Sequence, residues 1–224
     1  MIITKEQISS FAEKCESEFD LSNAKLPMEY FYSNLVFAVL DAVFSIGARY
    51  AAVKNVVNNY SKYIIMDNEH RISDFIKVYE EHGSKKMAEE IIKNKQRTSS
   101  RNGILKIDAC YEIAKILKSY DIETKKDFNI KINEELISEI LQVKGQGSGI
   151  MLKYLIMLVG DDNVCKPDRH IRRYVAPFLG EKATDQDIQN LFTEAVKILK
   201  IKYPNITVRL LDNRIWNKLS RYAK

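Results

Sequence analysis

The stretch that decides the fold runs from residue 141 to residue 175 and reads LQVKGQGSGIMLKYLIMLVGDDNVCKPDRHIRRYV. It places a short glycine-rich turn between two segments whose apolar residues recur at helical spacing. Nineteen residues after the last glycine of the turn, Asp168 follows a proline and precedes another helical segment. The stretch therefore predicts a helix, a tight turn, a second helix, and a carboxylate at the start of a third helix.

The turn, residues 144–149, alternates three glycines with other residues. Glycine adopts positive φ without strain and allows other atoms to approach the main chain closely. The helix that follows directs its free N–H groups towards the turn, where amides and the helix dipole can hold a phosphate oxygen. Lys144 and Lys153 add positive charge nearby. We expect binding that ignores base sequence and weakens as salt rises. The alternative is a plain turn between packed helices.

Asp168 is the second feature of this stretch. Pro167 fixes its own φ, and Asp168 stands where a helix over residues 169–178 begins. A carboxylate there accepts amide hydrogen bonds and meets the positive end of the helix dipole. One interpretation is that Asp168 only caps the helix. The other is that it faces a developing positive charge, such as the oxocarbenium-like sugar formed when a glycosidic bond breaks. We expect Asp161 and Asp162, in a less constrained loop, to be solvated.

The composition is that of an ordinary globular protein: 224 residues, 46% hydrophobic, 29% charged, with a formal net charge of +5. This mild basicity permits a polyanionic partner without requiring one. The polar beginning lacks a signal-peptide core, and the longest apolar run is too short for a bilayer. We therefore expect a cytoplasmic protein without membrane contact. Three scattered cysteines and three scattered histidines match no disulfide framework or metal site.

Helical periodicity dominates the rest of the chain, and no segment predicts a series of strands. Asn133 and Thr184 are predicted helix caps, and Asn205 or Thr207 is expected to begin the last helix. Residues 93–103, basic and rich in serine, are the clearest loop. Further helices are predicted over residues 28–45, 48–64, 72–82, 84–93, 104–119 and 149–159.

Two motifs carry a resemblance to a known family. VKGQG at residues 143–147 and KPDRHI at residues 166–171 resemble the signature of the helix-hairpin-helix DNA glycosylase superfamily. That superfamily has the fold of endonuclease III and 3-methyladenine DNA glycosylase II. Its hairpin reads Leu-Pro-Gly-Val-Gly, and Val-Asp-Thr-His-Val follows with the catalytic Asp at a similar spacing. Weaker similarity covers residues 37–57, 101–106 and 211–216.

The resemblance implies an all-α fold of two helical lobes with a cleft between them. Residues 30–160 would form one lobe, and residues 1–29 with 161–224 the other. It implies a monomer that binds double-stranded DNA, acts in base excision repair, and associates with the nucleoid if the protein is bacterial. A damaged or mispaired nucleotide is swung out of the duplex, and Asp168 is the catalytic residue.

The resemblance also implies the residues that hold DNA and a cation. A structural Na⁺ or K⁺ ion is expected on the main-chain carbonyls of Leu141, Val143 and Gln146. Arg97, Arg101 and Asn102 are weaker candidates for the opposite side of the DNA. The expected DNA-binding residues are Lys144, Gly145, Gln146, Gly147, Ser148, Gly149, Lys153, Arg169, His170 and Arg101.

Departures from the family refine the expected reaction. Bifunctional members place a nucleophilic Lys two positions after the second hairpin glycine, where this chain has Gly149. The four-cysteine iron–sulfur loop is absent, so no cofactor is required. We expect a monofunctional glycosylase in which water, oriented or activated by Asp168, hydrolyses the N-glycosidic bond.

Three alternatives stay open. The first is a bifunctional glycosylase and lyase that uses a non-standard lysine: Lys144, Lys153 or Lys166. The second is a non-catalytic protein that binds duplex DNA, and the third is a plain helical interaction protein. Core packing is expected for each of the aromatic candidates. The rings that could instead stack on an everted base are Tyr30, Phe31, Tyr32, Tyr50 and Trp216.

Overall fold

The computed structural model of this chain describes residues 2–65 and 69–221. In these residues the regular structure is helical, and the only β-type pairing is a single bridge between Arg97 and Leu105. The prediction of an all-α fold is confirmed. The α-helices are α1 (Lys5–Glu18), α2 (Leu35–Phe44), α3 (Tyr50–Tyr63), α4 (Ile72–Lys86), α5 (Lys106–Ser119), α6 (Lys125–Lys131), α7 (Glu134–Gln142), α8 (Ile150–Val159), α9 (Arg169–Leu179), α10 (Asp185–Leu199) and α11 (Val208–Arg221).

The chain divides into two compact units. Unit 1 contains Met1–Tyr30 and Gly160–Lys224, and unit 2 contains Phe31–Val159. Unit 2 is thus one continuous piece of chain, while unit 1 is assembled from two pieces that are distant in sequence. No helix in the described ranges combines the length and the apolar character needed to cross a membrane.

Helix α2 is the centre of unit 2, since all ten of its residues are buried. It packs against α3, α5 and α8. The sequence predicts this helix from Met28, but α2 begins only at Leu35. The Asn34 side chain accepts a hydrogen bond from the Phe37 amide and so caps the helix there. A single 3₁₀ turn, Met28–Tyr30, is the only helical element described between α1 and α2.

Gly83 interrupts the helical stretch after α3, as predicted, although the two parts stay joined. Its φ of 71° and ψ of 165° are not helical, and the kink falls within α4. A π-helical turn, Met87–Ile91, continues the chain and leads into the loop over residues 93–103. The prediction of two separate helices therefore becomes one kinked helix followed by a wider turn.

Unit 1 packs α1, α9, α10 and α11 around an apolar core. Phe11 and Phe192 are fully buried there, with ring centroids 5.2 Å apart. Thr184 caps α10 through a capping box with Asp187, as the sequence predicts. The last helix starts at Val208, directly after Thr207, whose hydroxyl accepts a hydrogen bond from the Leu210 amide.

Candidate functional site

The glycine turn in unit 2 joins α7 to α8 as the sequence predicts. The Gln146 amide donates to the Val143 carbonyl at 2.9 Å, and the Gly149 amide donates to the Gln146 carbonyl at 3.0 Å. Gly145 and Gly149 adopt positive φ of 92° and 73°. Two successive tight bends, each closed by its own hydrogen bond, therefore bring α8 back after α7.

Gly145 is also a point of close approach between two loops. A Cβ placed on Gly145 would lie 2.4 Å from the Cβ of Thr98, in the basic loop over residues 93–103. That loop is itself closed, because the Thr98 amide donates to the Ile104 carbonyl and the Lys106 amide donates to the Gln96 carbonyl. The structure thus brings the loop that carries Arg101 against the turn, a contact that the sequence did not predict.

The exposed face of the turn is rich in unused donors. Lys144, Gly145, Gly147 and Ser148 are exposed. In the residues that the structure covers, no acceptor is found for the amides of exposed Gly145, Gly147 and Ser148, or for that of half-buried Ile150. Because these N–H groups lie at the start of α8, the turn offers a concentration of donors and the positive end of a helix dipole to an anion.

Gln146 lies on the inner side of the turn. Its residue is 3% exposed, and its side-chain Oε1 is buried without a hydrogen-bond donor among the described residues. The side chain that the sequence placed among the DNA contacts is therefore turned inwards. Leu141 is near as well, since its carbonyl oxygen lies 3.7 Å from the Cβ position of Gly147. Lys153, in the first turn of α8, is half-buried.

Asp168 in unit 1 is the N-cap of α9. Its Oδ1 accepts hydrogen bonds from the His170 amide at 2.8 Å and the Ile171 amide at 3.1 Å. No described residue donates to Oδ2, and the residue is half-buried. Asp168 therefore caps α9, which both interpretations of this residue require. It leaves one oxygen of a rigidly held carboxylate free for a second role.

Asp212, in α11, is a neighbour of Asp168 that the sequence did not predict. It is 5% exposed, and its Oδ1 accepts a hydrogen bond from the Lys166 amide at 3.0 Å. Burial, and secondarily the negative charge of Asp168, raises the pKa of Asp212 to about 8. A sequence signal existed, because Asp212 shares the apolar face of α11 with Val208 and Ile215, where a charged residue is unusual.

The residues that follow Asp168 divide between surface and core. Arg169 is exposed, as a DNA contact requires. His170 is 7% exposed, and its Nδ1 has no partner in the described part of the chain. Its ring meets that of Trp216 edge-on, with centroids 6.2 Å apart. Burial lowers the pKa of His170, which favours the neutral ring at pH 7. This packing leaves the His170 ring little surface for the predicted DNA contact.

The loop before Asp168 is held more firmly than the sequence indicates. Arg209 is 3% exposed and bonds the Asp162 carboxylate at 3.4 Å and the Tyr30 carbonyl at 2.9 Å. The Arg209 amide also donates to the Asp162 carbonyl at 3.1 Å. The Asp162 side chain is nevertheless 51% exposed, as the expectation of a solvated carboxylate requires. A buried guanidinium ties this loop to α11 and to the end of the N-terminal piece of unit 1.

The aromatic candidates differ in exposure. Tyr30 is buried, as core packing predicts, whereas Phe31 is 55% exposed. Tyr32, Tyr50 and Trp216 are half-buried. Core packing is therefore the wrong expectation for Phe31.

The site residues predicted from sequence thus fall into two groups. The turn, Lys153 and the loop with Arg101 belong to unit 2, and Asp168, Arg169 and His170 belong to unit 1. The three cysteines are buried and form no disulfide, and the described residues contain no cluster of three or more His, Cys, Asp or Glu side chains suited to a metal ion.

Comparison with known proteins identifies a family for this chain. The model of a family described as a domain of unknown function (DUF8548) matches residues 9–220. No curated protein and no solved structure matches the chain.

Proposed function

Because the chain belongs to the DUF8548 family, a domain of unknown function, its activity has to be argued from its own residues, and we propose that it is a monofunctional DNA glycosylase. It removes a damaged or mispaired base from double-stranded DNA in base excision repair, as a cytoplasmic monomer. Under this proposal the two units correspond to the two lobes of a helix-hairpin-helix glycosylase.

The observation that carries the proposal is the state of the Asp168 carboxyl group. One oxygen is held by two amides, and the other accepts no hydrogen bond from the described residues. When the bond between C1′ and the base nitrogen breaks, the electron pair leaves with the base and positive charge develops on the sugar. A carboxylate held in place before the reaction stabilises that charge without reorganising. It also orients the water whose oxygen bonds to C1′, and accepts the proton that this water releases.

The turn in unit 2 supports the DNA-binding half of the proposal. Its exposed amides without acceptors offer hydrogen bonds to a phosphate, and exposed Lys144 adds charge beside them. Arg101 is exposed in the loop that touches Gly145, so its charge belongs to the same surface of unit 2. We propose Arg169, exposed at the start of α9, as the corresponding cation in unit 1.

Neutral oxygens near the turn suit a monovalent cation. The Gln146 Oε1 atom is buried without a donor, and the carbonyls of Val143 and Gln146 each accept only one hydrogen bond in the described residues. Neutral carbonyl oxygens fit Na⁺ or K⁺ better than a transition metal. With Leu141, these residues would hold the ion, which would supply positive charge for a phosphate.

The positions of the lysines favour hydrolysis by water over attack by a lysine side chain. Gly149 stands where bifunctional family members have their nucleophile. Lys166 is only 8% exposed, and Lys144 lies on the turn that we assign to phosphate binding. We therefore expect abasic DNA as the product, with strand breakage only after treatment with alkali.

The test is base release by the Asp168→Asn variant on duplexes that carry alkylated, deaminated, oxidised or mismatched bases. The asparagine side chain can still cap α9, but it cannot stabilise a cationic sugar as a carboxylate does. We expect the rate of base release to fall at least about 100-fold while the dissociation constant for duplex DNA changes less than about threefold. The matched control is Asp187→Asn, the same change near the start of α10 in unit 1.

Two results would contradict the proposal. If wild-type protein binds duplex DNA in a salt-dependent manner but releases no base from the whole panel, the chain is a duplex-binding module. If wild-type protein does not bind duplex DNA at low salt, both the glycosylase and the duplex-binding module are excluded. Strand cleavage by wild-type protein without alkali would favour the bifunctional alternative, and trapping with borohydride would then identify the lysine.

A further inference from the structure

The segment that delivers Asp168 to α9 is held by side chains from two other helices. The Cys165 amide donates to Gln189 Oε1 of α10 at 3.0 Å, and the Lys166 amide donates to Asp212 Oδ1 of α11 at 3.0 Å. The chain then closes a tight turn around Pro167, since the Asp168 amide donates to the Lys166 carbonyl at 2.7 Å. Lys166 therefore links Asp168 to Asp212, because its N–H donates to the Asp212 carboxyl group and its carbonyl accepts from the Asp168 N–H.

Asp212 is placed where a charged carboxylate would be costly. The charges that face it come from Lys166 and Asp168 in the preceding segment. On its own helix, Arg209 bonds Asp162 and Tyr30, and Lys218 bonds Glu18, so these two cations are engaged by other partners. Buried beside a second carboxylate, Asp212 is held in its neutral form, with a pKa raised to about 8.

We propose that Asp212 is a positioning residue for Asp168: its carboxyl oxygen holds the Lys166 amide and thereby sets where the Asp168 carboxylate stands at the start of α9. This inference rests on the proposed function for its catalytic consequence, though not for its structural content. A displacement of about 1 Å of a reacting group is enough to lower a rate about 100-fold, so a residue that never touches DNA can control the reaction.

The test compares two substitutions that differ only in whether an acceptor remains. Asp212→Asn keeps a side-chain carbonyl for the Lys166 amide, whereas Asp212→Leu has similar size and no acceptor. We expect Asp212→Asn to release base at neutral pH within about threefold of the wild-type kcat, and Asp212→Leu to lose at least about 30-fold. The affinity of both variants for duplex DNA should fall by no more than it does in Arg169→Ala, because the turn in unit 2 is unaffected and Arg169 is the proposed DNA contact at the start of α9. The control is Asn213→Leu, which changes the neighbouring buried polar residue of α11.

A second measurement does not depend on glycosylase activity. In amide NMR spectra of the full chain, Asp212→Leu should shift the Lys166, His170 and Ile171 resonances and abolish protection of the Lys166 amide from hydrogen exchange. Asp212→Asn and Asn213→Leu should preserve that protection. Unshifted His170 and Ile171 amides in Asp212→Leu, or equal kcat values for Asp212→Asn and Asp212→Leu, would overturn the positioning role. If wild-type protein releases no base, the NMR result still decides the positioning role, so the two failures are distinguishable.

Discussion

Gly145 meets two separate demands at the scale of a single residue. Its φ of 92° belongs to the region that side chains rarely adopt, and its missing Cβ leaves the space that Thr98 occupies. Gly147, two residues further on, has neither constraint, since its nearest atom beyond its neighbours is the Leu141 carbonyl oxygen at 3.7 Å from a built Cβ. The alternation of glycines in the sequence therefore conceals unequal roles.

We expect Gly145→Ala to lower the free energy of unfolding by about 2–4 kcal/mol, from positive φ together with overpacking against Thr98. Gly147→Ala is the matched control and should cost less than about 1 kcal/mol. Urea denaturation of both variants measures the difference. Adding Thr98→Gly to Gly145→Ala removes the clash but keeps the backbone strain, so it should restore only part of the loss. Equal losses in the two single variants would contradict this explanation.

The neutral state of Asp212 makes stability depend on pH. Its pKa is raised from 3.8 to about 8 on folding, so the folded chain retains a proton that the unfolded chain has already released. The stabilisation from this proton is complete below pH 3.8 and is lost as pH rises to about 8. A buried acid of this kind makes the protein less stable towards alkaline pH.

The variant Asp212→Asn cannot ionise and so removes this dependence of stability on pH. Relative to wild type, the free energy of unfolding of this variant should rise between pH 4 and pH 8, by at most about 1.4 kcal/mol per pH unit. Chemical denaturation at several pH values measures this slope. Asp20→Asn serves as the control, because Asp20 is exposed and hydrogen bonds from Asn23 lower its pKa. That control should show no slope in the same range, and a flat difference for Asp212→Asn would refute the neutral form.

At the scale of elements, a side chain of α5 supplies the hydrogen bonds that the carbonyls at the C-terminal end of α2 lack. Lys106, in the first turn of α5, is 4% exposed. Its ammonium donates to the Phe44 carbonyl at 3.0 Å, the Ile46 carbonyl at 2.7 Å and Gln96 Oε1 at 3.2 Å. A cation at a helix C-terminus satisfies carbonyls that lack partners within the helix and meets the negative end of its dipole. The fully buried α2 can therefore end inside unit 2.

Lys106→Met should lower the free energy of unfolding by about 2–5 kcal/mol, because it leaves buried carbonyls without their donor. Lys115→Met, a substitution of an exposed lysine on the same helix, should change it by less than about 1 kcal/mol. Thermal and urea denaturation of the two variants give the comparison. A loss for Lys106→Met no larger than that of the control would show that water replaces the ammonium at no cost.

Prediction of elements succeeded where the signal is local. Asn133 and Thr184 cap helices by bonding amides three residues away, so sequence spacing is enough to identify them. The apolar pattern predicts the start of α2 too early, because the apolar residues before Asn34 continue the pattern although the helix begins only after the Asn34 cap. The pattern does not predict the short helix α6, since its seven residues carry too little periodicity.

At the scale of the whole molecule, the net charge of +5 makes salt a direct test of the proposed DNA binding. Lys144→Ala and Arg169→Ala should each lower the affinity for duplexes of any sequence. Each should also reduce the slope of log K against log salt by about one unit, as expected for one lost phosphate contact. Lys182→Ala, an exposed lysine beyond the far end of α9, is the control. Fluorescence anisotropy across a salt series measures the slopes, and identical slopes in all three variants would argue against both contacts.

The sequence by itself determined the all-helical class, the glycine turn, the cap of α10 and the position of Asp168 at the start of α9. Each of these depends on dihedral preferences and on hydrogen bonds between residues a few positions apart, which a linear pattern records. Only the tertiary structure decided that Thr98 packs against Gly145, that the Lys106 ammonium bonds a carbonyl at the end of α2, and that the Asp212 carboxyl group accepts a hydrogen bond from the Lys166 amide. These pairs are far apart in sequence, and burial and pKa depend on what packs around a group. No local pattern carries that information.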